Sequence, residues 1–114
     1  MIDGIGIDVV DIKRFQESLD RTPALLEKLF TQSERQKSVQ GLAARFAAKE
    51  ALYKALSAEH GLQWHEAEVI NHENGKPDFL FRGKIADLVD GARVHLSLSH
   101  DAGIASAMVI VERE

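Results

Sequence analysis

The sequence has 114 residues, an apolar fraction of 45%, a net charge of −4 and no cysteine. These values exclude a disulfide scaffold, a zinc–thiolate centre and a cysteine nucleophile, and they argue against an intrinsically disordered chain and a general nucleic-acid binder. No run of about 18 apolar residues exists, so no membrane span is expected. The start, Met-Ile-Asp-Gly-Ile-Gly-Ile-Asp, has no basic cluster and no unbroken apolar run, so no signal peptide is expected either and a cytoplasmic location follows. The length suits one domain over residues 1–114. A domain this small leaves much of its surface exposed, so association with further copies is expected of an enzyme that needs a deep cleft. Residues 1–45 carry seven Lys/Arg and seven Asp/Glu, whereas residues 46–114 carry seven and eleven. An acidic partner would therefore dock on the N-terminal part.

In chain order, residues 2–10 read as a strand in which Ile5, Ile7 and Val9 alternate with Gly4, Gly6 and Asp8. The isoleucine face is the apolar one, and strand glycines mark a close approach by a ligand or another backbone. Asp11 is placed to cap a short helix that turns Ile12, Phe15 and Leu19 inward. Thr22-Pro23 reads as the opening of another helix, and Thr31-Gln-Ser-Glu34 as a capping box that starts a third. Gly41 is expected to interrupt that helix, with a strong one following over residues 42–57. The C-terminal half reads as mainly β. A strand over 67–73 meets a hairpin signal at Asn74-Gly75, and Phe79 and Phe81 alternate on the return. Residues 84–90 suit a short helix stopped by Gly91. Val94, Leu96 and Leu98 then alternate with His95, Ser97 and Ser99, and 103–112 form a final buried strand. Helices precede most strands, which gives an α+β class.

The helix over 42–57 is the most informative segment. It is apolar nearly all round, yet it carries Arg45, Lys49, Glu50 and Lys54. Buried charges need partners or a polar cleft. Glu50 and Lys54 share a strip at i, i+4 and read equally as a salt bridge or as part of a site. Asp8 and Glu50 together offer hard oxygen ligands from two elements, the way Mg2+ is held with substrate phosphate and waters. Nearby basic side chains then suit phosphate oxygens. No GxSxG, HExxH, Walker or GxGxxG motif is present. The histidines, His60, His65, His72, His95 and His100, lack metal-ligand spacing. His95 reads as structural, and His100 sits at a strand end suited to a phosphate contact.

Gly6-Ile7-Asp8, Arg45-Phe46-Ala47-Ala48-Lys49-Glu50-Ala51 with Lys54-Ala55, Asn74-Gly75-Lys76-Pro77 and Ser97-Leu98-Ser99-His100 resemble, in order and spacing, the motif series of the holo-[acyl-carrier-protein] synthase family. These are the small bacterial 4′-phosphopantetheinyl transferases. The match runs the whole chain, and the Arg-Phe-Ala-Ala-Lys-Glu-Ala run is the most specific part. The resemblance implies an α+β homotrimer, mostly antiparallel sheet on a long central helix, with active sites between subunits. It implies transfer of 4′-phosphopantetheine from coenzyme A to a serine of acyl carrier protein, for fatty acid biosynthesis. By the same resemblance, Asp8 and Glu50 are the Mg2+ ligands and Lys54 contacts the coenzyme A phosphates. Arg45 and His100 fall near the 3′-phosphate, and Gly75, Lys76 and Pro77 near the adenosine. Arg14 pairs with the acidic carrier, and Arg21 and Lys28 extend that surface. The stretch from Arg35 to Gly41 is short beside some relatives, and Tyr53 next to Lys54 is a candidate to reshape the cleft. A magnesium-dependent hydrolase of a nucleotide or coenzyme A, or a non-catalytic coenzyme A-binding scaffold, are the alternative readings.

Overall fold

A computed structural model of the chain describes residues 1–57 and 63–114; His60 lies outside them. Strand β1 (Ile2–Asp11) pairs antiparallel with β5 (Ile104–Glu112), which pairs antiparallel with β4 (Arg93–Asp101), giving the order β1-β5-β4. A second, two-stranded antiparallel sheet joins β2 (Ala67–Asn71) to β3 (Pro77–Phe81). Helix α3 (Val39–Leu56) packs on the inner face of the larger sheet, against Val109, Val111 and Ala107 of β5. Helices α1 (Ile12–Arg21), α2 (Leu25–Leu29) and α4 (Gly83–Leu88) complete an α+β fold. Among the described residues, no helix is long and apolar enough to cross a membrane.

The glycine face of the first strand, and not its isoleucine face, is the one turned inward. Gly4, Gly6, Asp8 and Val10 face α3, whereas Ile5, Ile7 and Val9 are 59%, 56% and 61% exposed. The reason is backbone proximity. A Cβ on Gly4 would lie 1.9 Å from the Ala55 carbonyl oxygen, and one on Gly6 would lie 1.9 Å from that of Ala51. Only a side chain of one hydrogen lets strand and helix meet so closely, and the alanines of α3 supply the matching surface.

Other boundaries move for local reasons. Asp11 caps α1 as expected, accepting from the Arg14 N–H at 2.9 Å. Thr22 does not open a helix: it closes α1, its N–H donating to Ser18 O at 3.0 Å, and α2 begins after Ala24 with no side-chain cap. The capping box forms, with Thr31 N–H donating to Glu34 Oε1 (2.9 Å) and Glu34 N–H to Thr31 Oγ1 (3.4 Å). It supports only a 3-10 turn over Glu34–Gln36. Ser38 then caps α3 through the Gly41 N–H (3.2 Å), so Gly41 sits in the first turn of the helix and does not break it. The hairpin strands stop at Asn71 and restart at Pro77, leaving a loop over 72–76 closed by His72 N–H to Lys76 O (2.9 Å) and Gly75 N–H to His72 O (2.8 Å). Leu88 of α4 is exposed, while Ile85 and Val89 are buried. The final strand is central but buried on one face only, since Met108 remains 41% exposed.

Candidate active site

Asp8 reaches the cleft because of the parity of β1. Two strand residues advance about 6.7 Å and four helix residues about 6 Å. The steps from Gly4 beside Ala55 to Gly6 beside Ala51 therefore continue to Asp8 near the level of Ala47. An open cleft of about 480 Å³ is lined by Asp8, Arg14, Phe15, Phe46, Glu50 and Lys54 together with residues 9–11 and Ser18. Thus Asp8, Glu50, Lys54 and Arg14 come together in one chain.

Of the two readings of the i, i+4 strip, the Glu50–Lys54 salt bridge does not form. Lys54 Nζ instead donates to Asp8 Oδ1 (3.0 Å) and to Ile7 O (2.9 Å). Glu50 is half-buried, and its pKa is raised by burial first and by the Asp8 carboxylate second, against the pull of Lys54. Two carboxylates aimed into one cleft repel each other until a cation or a proton intervenes. Among the described residues no group of three or more His, Asp or Glu converges. Two hard carboxylate oxygens with open space beside them fit a divalent cation that takes its remaining ligands from phosphate and water.

A second cluster lies across α3, because Arg45 and Glu50 are five residues apart and point about 140° from each other. Arg45 is 5% exposed. It donates through Nη2 to Asn71 Oδ1 (2.6 Å) and through Nη1 to Gly41 O (3.4 Å), while its Nε has no partner among the described residues. Burial lowers its pKa, with Glu34 opposing. Asn71 Nδ2 donates to Gly75 O (3.1 Å), which ties Arg45 to the loop carrying Gly75, Lys76 and Pro77. The Lys76 N–H is held by Asn74 Oδ1 at 3.0 Å. A cavity of about 190 Å³ opens here between Arg45, Lys37, Ser33 and Asn71. Sequence reasoning missed Asn71; its only signal was a place at the end of the strand leading into Asn74-Gly75.

The remaining candidates fall apart from both clusters. His100 is exposed on β4, opposite Ala105, which in turn faces Val10. It shares the inner face with Asp8 but lies two strands away, and it does not line the cleft. Arg21 and Lys28 are exposed on α1 and α2, on the same side of the chain order as Arg14. Tyr53 does not reshape the cleft. Its ring packs at 5.1 Å from that of Trp64, and burial, then Glu66 and Glu50, push its hydroxyl up to about 12. The structural reading of His95 fits its pairing with Glu112 (3.0 Å).

Comparison with known proteins places this geometry in context. The sequence pattern of the 4′-phosphopantetheinyl transferase superfamily matches residues 4–105. The holo-[acyl-carrier-protein] synthase of Leifsonia xyli subsp. xyli is 53% identical over 117 residues, covering 100% of this chain and 99% of its own. That of Clavibacter michiganensis subsp. michiganensis is 50% identical over 115 residues, covering 98% and 97%. Among solved structures, the acyl carrier protein synthase of Mycobacterium tuberculosis superposes with a TM-score of 0.85 at 35% identity, covering 100% of both chains. The holo-(acyl-carrier-protein) synthase of Bacillus anthracis, in complex with CoA (3′,5′-ADP), gives 0.83 at 34% identity, covering 100% and 99%.

Proposed function

The chain belongs to the 4′-phosphopantetheinyl transferase superfamily, and from that premise we infer that it transfers 4′-phosphopantetheine from coenzyme A to a serine of apo-acyl carrier protein, readying the carrier for fatty acid synthesis. The observation that carries this reading is the cleft in which Asp8 and Glu50 converge with Lys54 and Arg14. A pyrophosphate substrate needs cations on its oxygens and a place for its counter-ion, and a hydrolase would have no use for the basic Arg14 at the cleft, with Arg21 and Lys28 exposed further along the chain.

In the reaction the serine oxygen forms a bond to the β-phosphorus of coenzyme A. The bond from that phosphorus to the bridging oxygen breaks, and 3′,5′-ADP leaves. Asp8 and Glu50 are the residues that would hold Mg2+, which when bound neutralises charge on the pyrophosphate. Lys54, already at Asp8, stabilises the same oxygens. Glu50, a carboxylate lining the cleft, is the candidate acceptor for the serine proton. Arg45, Gly75, Lys76 and Pro77 take the adenosine and 3′-phosphate end, with His100 brought to it from a neighbouring subunit, and Arg14, Arg21 and Lys28 take the acidic carrier.

We read residues 1–114 as one catalytic unit acting as a homotrimer. Two features support this. The outer face of β1 exposes Ile5, Ile7 and Val9 beside Met108, a surface that a neighbouring subunit would cover. The Asp8 cluster and the Arg45 cluster also point different ways on one chain, so a complete site is best assembled from two. The test is to weigh a bacterial apo-acyl carrier protein after incubation with the enzyme, coenzyme A and Mg2+. A gain of one phosphopantetheine, absent with EDTA and with Asp8→Asn, is expected. Loss of coenzyme A with no gain by the carrier would overturn the reading in favour of a hydrolase.

A further inference from the structure

The helix motif contains a lysine that none of these steps uses. The side chain of Lys49 has no solvent exposure. All three of its ammonium donors are taken, by Glu34 Oε1 (3.0 Å), Trp64 O (2.9 Å) and Ala67 O (2.8 Å). Glu34 is equally enclosed. Besides Lys49 its carboxylate accepts from the N–H groups of Thr31 (2.9 Å) and Val69 (2.9 Å). Ser33, next to it, donates to Glu68 Oε2 at 2.5 Å. Burial lowers the Lys49 pKa against the pull of Glu34.

A buried ion pair is a poor way to gain stability, because desolvating two charges offsets their attraction and apolar residues of the same size do as well. What apolar residues cannot do is satisfy a strand's backbone groups. Here the pair grips β2 at Ala67 O and at Val69 N–H, while Ser33 holds Glu68 between them. Three successive residues of β2 are thereby fixed along the strand axis. A slip of one residue would turn every β2 side chain to the opposite face. Two residues past Val69 stands Asn71, which joins Arg45 to Gly75 O. Arg45 and Lys49 lie at i and i+4 on α3, so one helix face holds the strand near its start and its end.

We propose that Lys49 and Glu34 are positioning residues that set the register of β2, so that Asn71 presents Arg45 and the 72–76 loop to the adenosine bisphosphate end of coenzyme A. This rests on the reading that Arg45 and the loop meet coenzyme A. Lys49→Met alone strands the Glu34 charge and is expected to unfold. The test therefore uses the neutral, near-isosteric pair Glu34→Gln with Lys49→Met, compared with Arg45→Ala. The folded double variant should raise KM for coenzyme A on the order of tenfold to a hundredfold, as misplacement of a binding group by about 1 Å does. The KM for the carrier protein should be unchanged, and kcat at saturating coenzyme A should stay near that of the native enzyme. If Arg45→Ala leaves coenzyme A binding intact, the reading of the hairpin side fails. If Arg45→Ala weakens binding but the double variant does not, the positioning role is refuted. Should the double variant not fold, hydrogen exchange on the native protein decides. The Val69 amide must open together with those of His72 and Gly75 and be slowed with them by 3′,5′-ADP; independent opening of Val69 overturns the proposal.

Discussion

Gly6→Ala probes the contact on which the Asp8 cleft depends. The new Cβ would stand 1.9 Å from Ala51 O, 2.8 Å from Ala51 C and 2.9 Å from Ala55 N, all backbone atoms of α3 that cannot swing aside. Ordinary contact lies near 3.5 Å, so strand and helix must part by roughly 1.5 Å. Overpacking of this kind costs about 1–3 kcal/mol, and more where backbone is the obstacle. The relief of glycine's unfolded-state entropy returns only about 0.5–1 kcal/mol. A net loss of about 2 kcal/mol should lower Tm by roughly 8–10 °C in a chain of this size. Because Asp8 is two residues further along the same strand face, the shift carries its carboxylate away from Glu50, and turnover should fall on the order of a hundredfold. Thermal melts with intact-mass assay of the carrier measure both. Gly91→Ala is the control: its Cβ meets nothing within 4 Å, so only the φ of +76° is penalised, by about 1 kcal/mol, with kcat unchanged. A Gly6→Ala protein with native Tm and native turnover would refute the close approach of β1 to α3 and with it the account of how Asp8 is positioned.

Glu50 binds its proton more tightly in the folded protein than in the unfolded chain, owing to burial and Asp8. Its ionisation therefore costs folded-state stability that is intact below the ordinary carboxylate range and is lost as pH rises through the raised value. In EDTA at neutral pH, Glu50→Gln should melt above the native protein, with the gap closing in acid; a lower melting temperature at pH 7 would contradict the assignment. Arg14→Ala should raise KM for the carrier about tenfold, in a salt-sensitive way, with KM for coenzyme A unchanged; a shift in the latter alone would move Arg14 from docking to substrate binding. Ile7→Asp, on the exposed face of β1 opposite Met108, should convert the assembly to monomers in sedimentation and abolish turnover. An active trimer carrying that change would exclude this face from the interface.

Much of the site was legible because its chemistry is local. Asp8 in a glycine-spaced strand, Glu50 and Lys54 in an otherwise apolar helix, and Asn74-Gly75 ahead of Lys76-Pro77 are each recognisable from a few neighbouring residues. The Asp11 cap formed as read, and the bonds of the Thr31–Glu34 box formed without the helix they were read to start, because such bonds close within three or four residues. Of the charges on the helix, Arg45 and Lys49 are buried and each has partners, whereas Glu50 is half-buried and Lys54 is exposed. Spacing alone offered Glu50 as the partner of Lys54, yet the lysine chose Asp8 and Ile7 O from a strand more than forty residues earlier.

Periodicity and composition by themselves determined the α+β class and the residue types available for phosphate chemistry, and the motif residues carried the resemblance to the family, since these depend on chemical identity and near neighbours. Tertiary structure alone decided which face of β1 is buried: backbone contact with α3 outweighs the hydrophobicity of Ile5, Ile7 and Val9, and only a third dimension reveals it. It likewise decided that Lys49 belongs to Glu34 and β2, that Asn71 joins Arg45 to the hairpin, and that His100 stands two strands from Asp8. Each of these relations joins separate segments of the chain, and the low-dielectric interior in which Lys49 meets Glu34 exists only once the chain has folded.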